Sequence, residues 1–115
     1  GYVDIWRLLA QKPQLADPYF ADNDIIAAAA MKAFQKHGYQ IPEDISVIGF
    51  DDMPLCDMMS PPLSSMKVRK HELGATAVQR LTDRVHNPDL ARLKMCMSTK
   101  LIPRDSIRNI AGHMQ

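Results

Sequence analysis

Apolar residues recur along this chain with two different periods, and the changes of period mark its elements. From Tyr2 to Ala10, the positions Val3, Ile5, Trp6, Leu8 and Leu9 fit a helix that Gln11-Lys12-Pro13 stops. The short apolar run from Ala16 to Ala21 reads as a strand, with Pro18 confined to its first residues. Ile25 to His37 predicts a helix whose inward stripe is Ile26, Ala30, Ala33, Phe34 and His37. Asn23 or Asp24 supplies its N-cap, Gly38 its left-handed stop, and Tyr39 folds back on Phe34. Ile45 to Phe50 is β-branched and apolar and then breaks into Asp51-Asp52, the pattern of a buried strand with polar chemistry just past its C-terminal end. Asp51-Asp52-Met53-Pro54 opens a soft helical turn through Leu55, Cys56, Met58 and Met59, which Ser60-Pro61-Pro62 closes. Leu63 to Val68 reads as a strand, and Lys70 to Asn87 as a second long helix with Leu73, Ala77, Leu81 and Val85 on one stripe. Ala91 to Ile102 alternates through Leu93, Met95, Met97, Thr99 and Leu101, which predicts a strand with one buried face. Ile110 to Gln115 has no pattern and is expected to fray. Strand–helix–strand alternation predicts an α/β fold on a parallel sheet.

Composition narrows the function classes more than the fold. At 115 residues, with 46% hydrophobic and 23% charged, the chain has the composition of one globular domain. Fourteen basic residues against 13 acidic ones, interspersed, leave no electrostatic footprint for nucleic acid. No apolar stretch approaches the roughly 20 residues of a membrane span. The start, Gly1-Tyr2-Val3-Asp4, is no signal peptide and lacks an initiator methionine, so the chain is expected to be cut from something longer. Cys56 and Cys96 lack metal-ligand spacing and read as reduced thiols of a cytoplasmic protein. The four histidines form no i, i+4 metal pair, and Ser64-Ser65 lacks a nucleophile elbow. Nothing calls for covalent catalysis, a cofactor or a metal.

Asn23 and Asp51 both fall just beyond predicted strand ends. If those strands are neighbours, an amide and a carboxylate share one rim, a pair suited to a polyhydroxylated ligand. The alternative is that both only cap their helices. A magnesium cage of Asp24, Asp51 and Asp52 is a third reading, but no Gly-rich phosphate loop and no lysine or hydroxyl partner at obvious spacing supports it.

Several motifs in register carry a family resemblance. Ala21-Asp22-Asn23-Asp24 before an alanine-rich helix, Gly38-Tyr39, Ile41-Pro42-Glu43-Asp44-Ile45-Ser46-Val47-Ile48-Gly49-Phe50-Asp51-Asp52, Ser60-Pro61-Pro62-Leu63-Ser64-Ser65, Leu73-Gly74 and Leu101-Ile102-Pro103-Arg104-Asp105-Ser106 resemble the C-terminal part of LacI/GalR-family transcription regulators, from about Gly1 to Ser106. The resemblance implies a periplasmic-binding-protein-like (type I) effector domain, with residues 1–115 its C-terminal portion and the DNA-binding helix-turn-helix and most of the N-terminal subdomain absent. It implies a homodimer, a small-molecule effector such as a sugar, and contact with operator DNA only through the missing N-terminal domain. Residue by residue, it implies effector contacts at Asn23 and Asp51, structural caps at Asp24 and Asp52, and a dimer surface at Ala28, Met31, Met58 and Met59. Asp22 and Ala29 depart from the family pattern, and Val68 and Lys70 stand where members vary their ligand contacts, which leaves the ligand type open. A periplasmic sugar-binding protein of a transport system shares the implied fold and is the alternative. In the family the chain crosses to the N-terminal subdomain after about Val68. The helix from Lys70 is therefore expected to need other cover for its apolar stripe, through an oligomer.

Overall fold

The computed structural model describes residues 2–11, 14–15 and 17–109. Among these, the chain forms α1 (Tyr2–Ala10), β1 (Pro18–Phe20), α2 (Asp24–Lys36), β2 (Ser46–Asp51), α3 (Leu55–Met58), β3 (Ser64–Lys67), α4 (Lys70–His86) and β4 (Lys100–Ile102), in that order. The expected stop at Gln11-Lys12-Pro13 lies partly, and the fray at Ile110 to Gln115 wholly, outside the described residues.

The strands make one sheet in chain order, β1-β2-β3-β4. The β1–β2 and β2–β3 pairs are parallel, as the α/β alternation predicts, with Phe20 opposite Ile48 and Asp51 opposite Lys67. The fourth strand departs from the all-parallel expectation, running antiparallel with Ile102 opposite Ser65 and Lys100 opposite Lys67. It is also far shorter than the alternating run from Ala91 predicts. In an antiparallel pair, residues before Lys100 extend beyond Lys67, and there β3 has already given way to α4, so residues 91–99 have no strand to pair with. Past β4 the chain completes the other end of β2, where Val47 N–H donates to Ser106 O at 2.9 Å.

The core lies on the α2 side of β2. Ala27, Ala30, Met31, Ala33 and Phe34 pack with Ile45, Val47, Cys56 and Leu63, and α1 adds Leu9. The buried stripe of α2 is rotated from the predicted one: Ala27 and Met31 are buried, while Ile26 is 39% exposed. Asn23 caps the helix and Asp24, its first residue, points inward, which sets positions 24, 27 and 31 toward the sheet. The helix stops as expected: Gly38 takes φ +89°, Tyr39 N–H donates to Phe34 O at 3.1 Å, and the two rings meet edge to face.

The α4 helix forms over almost the predicted span but buries none of its residues. Val78, Leu81 and Val85 are 64%, 65% and 70% exposed. The radius of gyration, 18.9 Å, against about 13 Å for a compact chain of similar length, records the same fact. The apolar stripe is real, and its cover is not among the described residues.

Candidate ligand-binding site

Because β1 and β2 are parallel neighbours, Asn23 and Asp51 emerge at the same edge of the sheet. The side chains differ in what they are free to do. Asn23 Oδ1 accepts the Ile26 N–H at 2.9 Å, capping α2. Its NH2 group makes no hydrogen bond to the described residues. The Asp51 carboxylate has no hydrogen bond or ion pair among the described residues, and it lines a cleft of ≈ 330 Å³ with Asp52, Lys67, Val68 and the first residues of α4. Asn23 does not line that cleft.

The backbone at the rim is strained: Asp51 has φ +103° and Asp52 φ +53°. Non-glycine residues in such conformations cost about 1–3 kcal/mol each and persist only where surrounding structure holds them. A buried latch does so here. Asp24 is fully buried; it accepts the Met53 N–H at 2.7 Å on Oδ2 and the Ser65 hydroxyl at 2.5 Å on Oδ1. Ser65 Oγ in turn accepts the Asp52 N–H at 3.0 Å. Gly49 makes the latch possible, since a Cβ there would overlap Asp24 Oδ1 and stand 3.2 Å from both Asp24 Cα and Leu63 Cδ2. Beside it, burial and then the Asp24 carboxylate push the Cys56 thiol up to about 11, so this cysteine stays protonated and unreactive.

Both expected caps require correction. Asp24 occupies the first turn of α2, where its carboxylate suits the positive helix end, but the capping oxygen belongs to Asn23 and both Asp24 oxygens are spent on the latch. The N-cap position of α3 is Pro54, with no side-chain cap, and the Asp52 carboxylate pairs with Arg104 instead. Asp52 Oδ1 forms an ion pair with Arg104 Nη2 at 2.8 Å, and Lys67 Nζ stands 4.0 Å from Oδ2. Arg104 also donates from Nε to Asp57 at 2.7 Å and from Nη1 to Leu63 O at 2.9 Å. Burial acts to lower its pKa, but Asp52 and Asp57 outweigh that and hold it above the ordinary guanidinium value. The carboxylates of Asp24, Asp51 and Asp52 do not gather into a metal-binding group among the described residues.

Of the four expected dimer-surface residues, Met31 must be withdrawn: it is 1% exposed, inside the monomer's own core. Met58 is 78% exposed, Ala28 is half-buried, and Met59 leans on the core from outside. Sequence reasoning missed the roles of Ser65 in the latch and Arg104 beside Asp52. The available signal was Gly49 inside a strand pattern, which marks a close approach of another part of the chain.

Residues 2–107 match the family described as periplasmic binding protein-like domain. The HTH-type transcriptional repressor PurR of Aliivibrio fischeri (strain ATCC 700601 / ES114) is 40% identical over 90 residues, 78% of this chain and 27% of that protein. The ribose operon repressor of Haemophilus influenzae (strain ATCC 51907 / DSM 11121 / KW20 / Rd) is 36% identical over 110 residues, 96% of this chain and 33% of that protein. Among solved structures, a LacI-family transcriptional regulator from Enterococcus faecalis V583 with bound ribose superposes with a TM-score of 0.79 at 29% identity, covering 93% of this chain and 40% of that one. The chain thus spans about a third of the length of the repressors it matches. The chain belongs to the periplasmic binding protein-like domain family, within which its relatives are LacI-family transcription regulators.

Proposed function

We propose that this chain is the effector-binding and dimerising portion of a bacterial LacI-type regulator, a non-enzymatic cytoplasmic protein that senses a small polyhydroxylated metabolite. The observation that carries this reading is the Asp51 carboxylate: unpaired among the described residues, held on strained backbone by a buried latch, and facing an open cleft at the strand ends. A carboxylate in that setting accepts two hydroxyl hydrogen bonds without having to break an internal one. Ribose in the solved relative and the ribose operon repressor among the relatives support a sugar effector, and the repressors among the relatives favour a regulator over a transport protein.

Asn23, at the same sheet edge but outside the cleft, offers its NH2 to a ligand that extends past Asp51 while its oxygen stays on the helix. Asp24 and Asp52 are its structural acids, through the latch and Arg104 rather than as caps. The homodimer forms over Ala28, Met58 and Met59, and operator DNA is read by a part of the regulator outside this chain. Operator-binding anisotropy of the complete regulator, titrated with ribose, other pentoses and hexoses, and purines, tests the proposal. An effector that changes operator affinity at micromolar to millimolar concentration is expected. Operator affinity indifferent to every compound, with none of them bound, would overturn it.

A further inference from the structure

Arg104 lies outside the cleft, yet all three of its guanidinium nitrogens are engaged. Nη2 faces Asp52 at 2.8 Å, Nε donates to Asp57 at 2.7 Å and Nη1 to Leu63 O at 2.9 Å. Its own N–H donates to Ser64 Oγ at 2.7 Å, so the backbone that carries it is fixed as well. The side chain is 15% exposed, and so is shielded from solvent, whereas Asp57 on α3 is 73% exposed. Asp52, adjoining Asp51, is thus held from two directions: its N–H by Ser65 and its carboxylate by Arg104.

Arg104 bridges the rim next to Asp51 and the α3 helix that carries Met58, through its ion pairs with Asp52 and Asp57. A planar fork with five donors can hold two carboxylates and a carbonyl at once; a lysine ammonium on a flexible stem cannot reproduce that geometry. We infer that Arg104 is a positioning residue for Asp51, acting through Asp52, and that its contact with Asp57 couples effector binding at the strand ends to the α3 surface. The inference rests on the proposal that Asp51 contacts effector. Effector contact shifts the strained Asp51–Asp52 backbone, Asp52 shifts with it, and Arg104 must redistribute its bonds between Asp52 and the exposed Asp57.

The test uses the complete regulator with two variants, Asp57→Ala and Arg104→Lys, and reads effector affinity by calorimetry beside thermal unfolding. Asp57 lies outside the cleft, so a purely structural role predicts no change in effector affinity. Coupling predicts a shift of about two- to fivefold for Asp57→Ala, the scale of an exposed pair, and at least about tenfold weaker binding for Arg104→Lys, the scale of a site-to-site coupling. Thermal unfolding identifies which variants are folded, and effector affinity is read on those. Wild-type effector affinity in both folded variants would overturn the inference while leaving the function proposal standing. A wild-type regulator that binds no effector would instead remove the function proposal and the inference with it.

Discussion

Replacing Gly49 with alanine should unfold or severely destabilise this protein, although a glycine-to-alanine change inside a strand ordinarily does the reverse. Gly49 sits in ordinary extended backbone, where alanine gains about 0.4–1 kcal/mol by restricting the unfolded chain. Against that stands the new methyl group, which overlaps Asp24 Oδ1 and crowds Leu63 Cδ2 at 3.2 Å. Asp24 has nowhere to retreat, because it is fully buried and its other oxygen holds Met53 N–H at 2.7 Å. Overpacking in a filled core costs about 1–3 kcal/mol. Each hydrogen bond to a buried charge is worth about 1.5–3 kcal/mol, and the methyl displaces the oxygen that accepts from Ser65. Together these give a loss of about 1.5–5.5 kcal/mol after the backbone gain, a large share of the about 5–15 kcal/mol by which domains are stable. Urea unfolding followed by the fluorescence of the single tryptophan, Trp6, reads this directly. A Gly49→Ala protein within about 0.5 kcal/mol of wild type would refute the close-approach reasoning. The double change Gly49→Ala with Asp24→Ala should cost less than the sum of the two, since both remove the same bonds.

Two further outcomes follow from burial. Iodoacetamide at pH 8 should alkylate exposed Cys96 and spare Cys56, whose thiol sits near 11, until denaturant is added; equal labelling of the folded chain would contradict the buried site. The open stripe of α4 should make the chain self-associate, and Leu81→Glu should reduce that association; a clean monomer by light scattering at millimolar concentration would contradict it.

Much of the fold was legible because its strongest signals are local. The β2 run ending in two aspartates, the α4 stripe and the Gly38 stop need only the residues themselves. The misreadings share one cause, which is that tertiary partners decide what local pattern leaves open. Alternation from Ala91 cannot show that β3 ends at Lys67, nor that β4 runs antiparallel to it. The phase of α2 was misjudged because the inward position at its start belongs to a carboxylate, Asp24, and a hydrophobic count gives that residue to solvent. Met31 is placed on the dimer surface only by the family resemblance, and the packing of α2 on the sheet puts it in the core instead. In the site, Asp51 could be singled out because it follows a strand. The residues that hold it, at positions 24, 65 and 104, are too far apart along the chain for any spacing rule to join them.

The central claim is that Asp51 grips the effector, and Asp51→Ala in the complete regulator tests it most directly. Losing two charge-assisted hydroxyl bonds of about 1.5 kcal/mol each should raise the effector concentration needed to change operator affinity by roughly 100-fold. Effector-free operator affinity and dimerisation should be unchanged. A variant that responds to effector at the wild-type concentration would contradict the account.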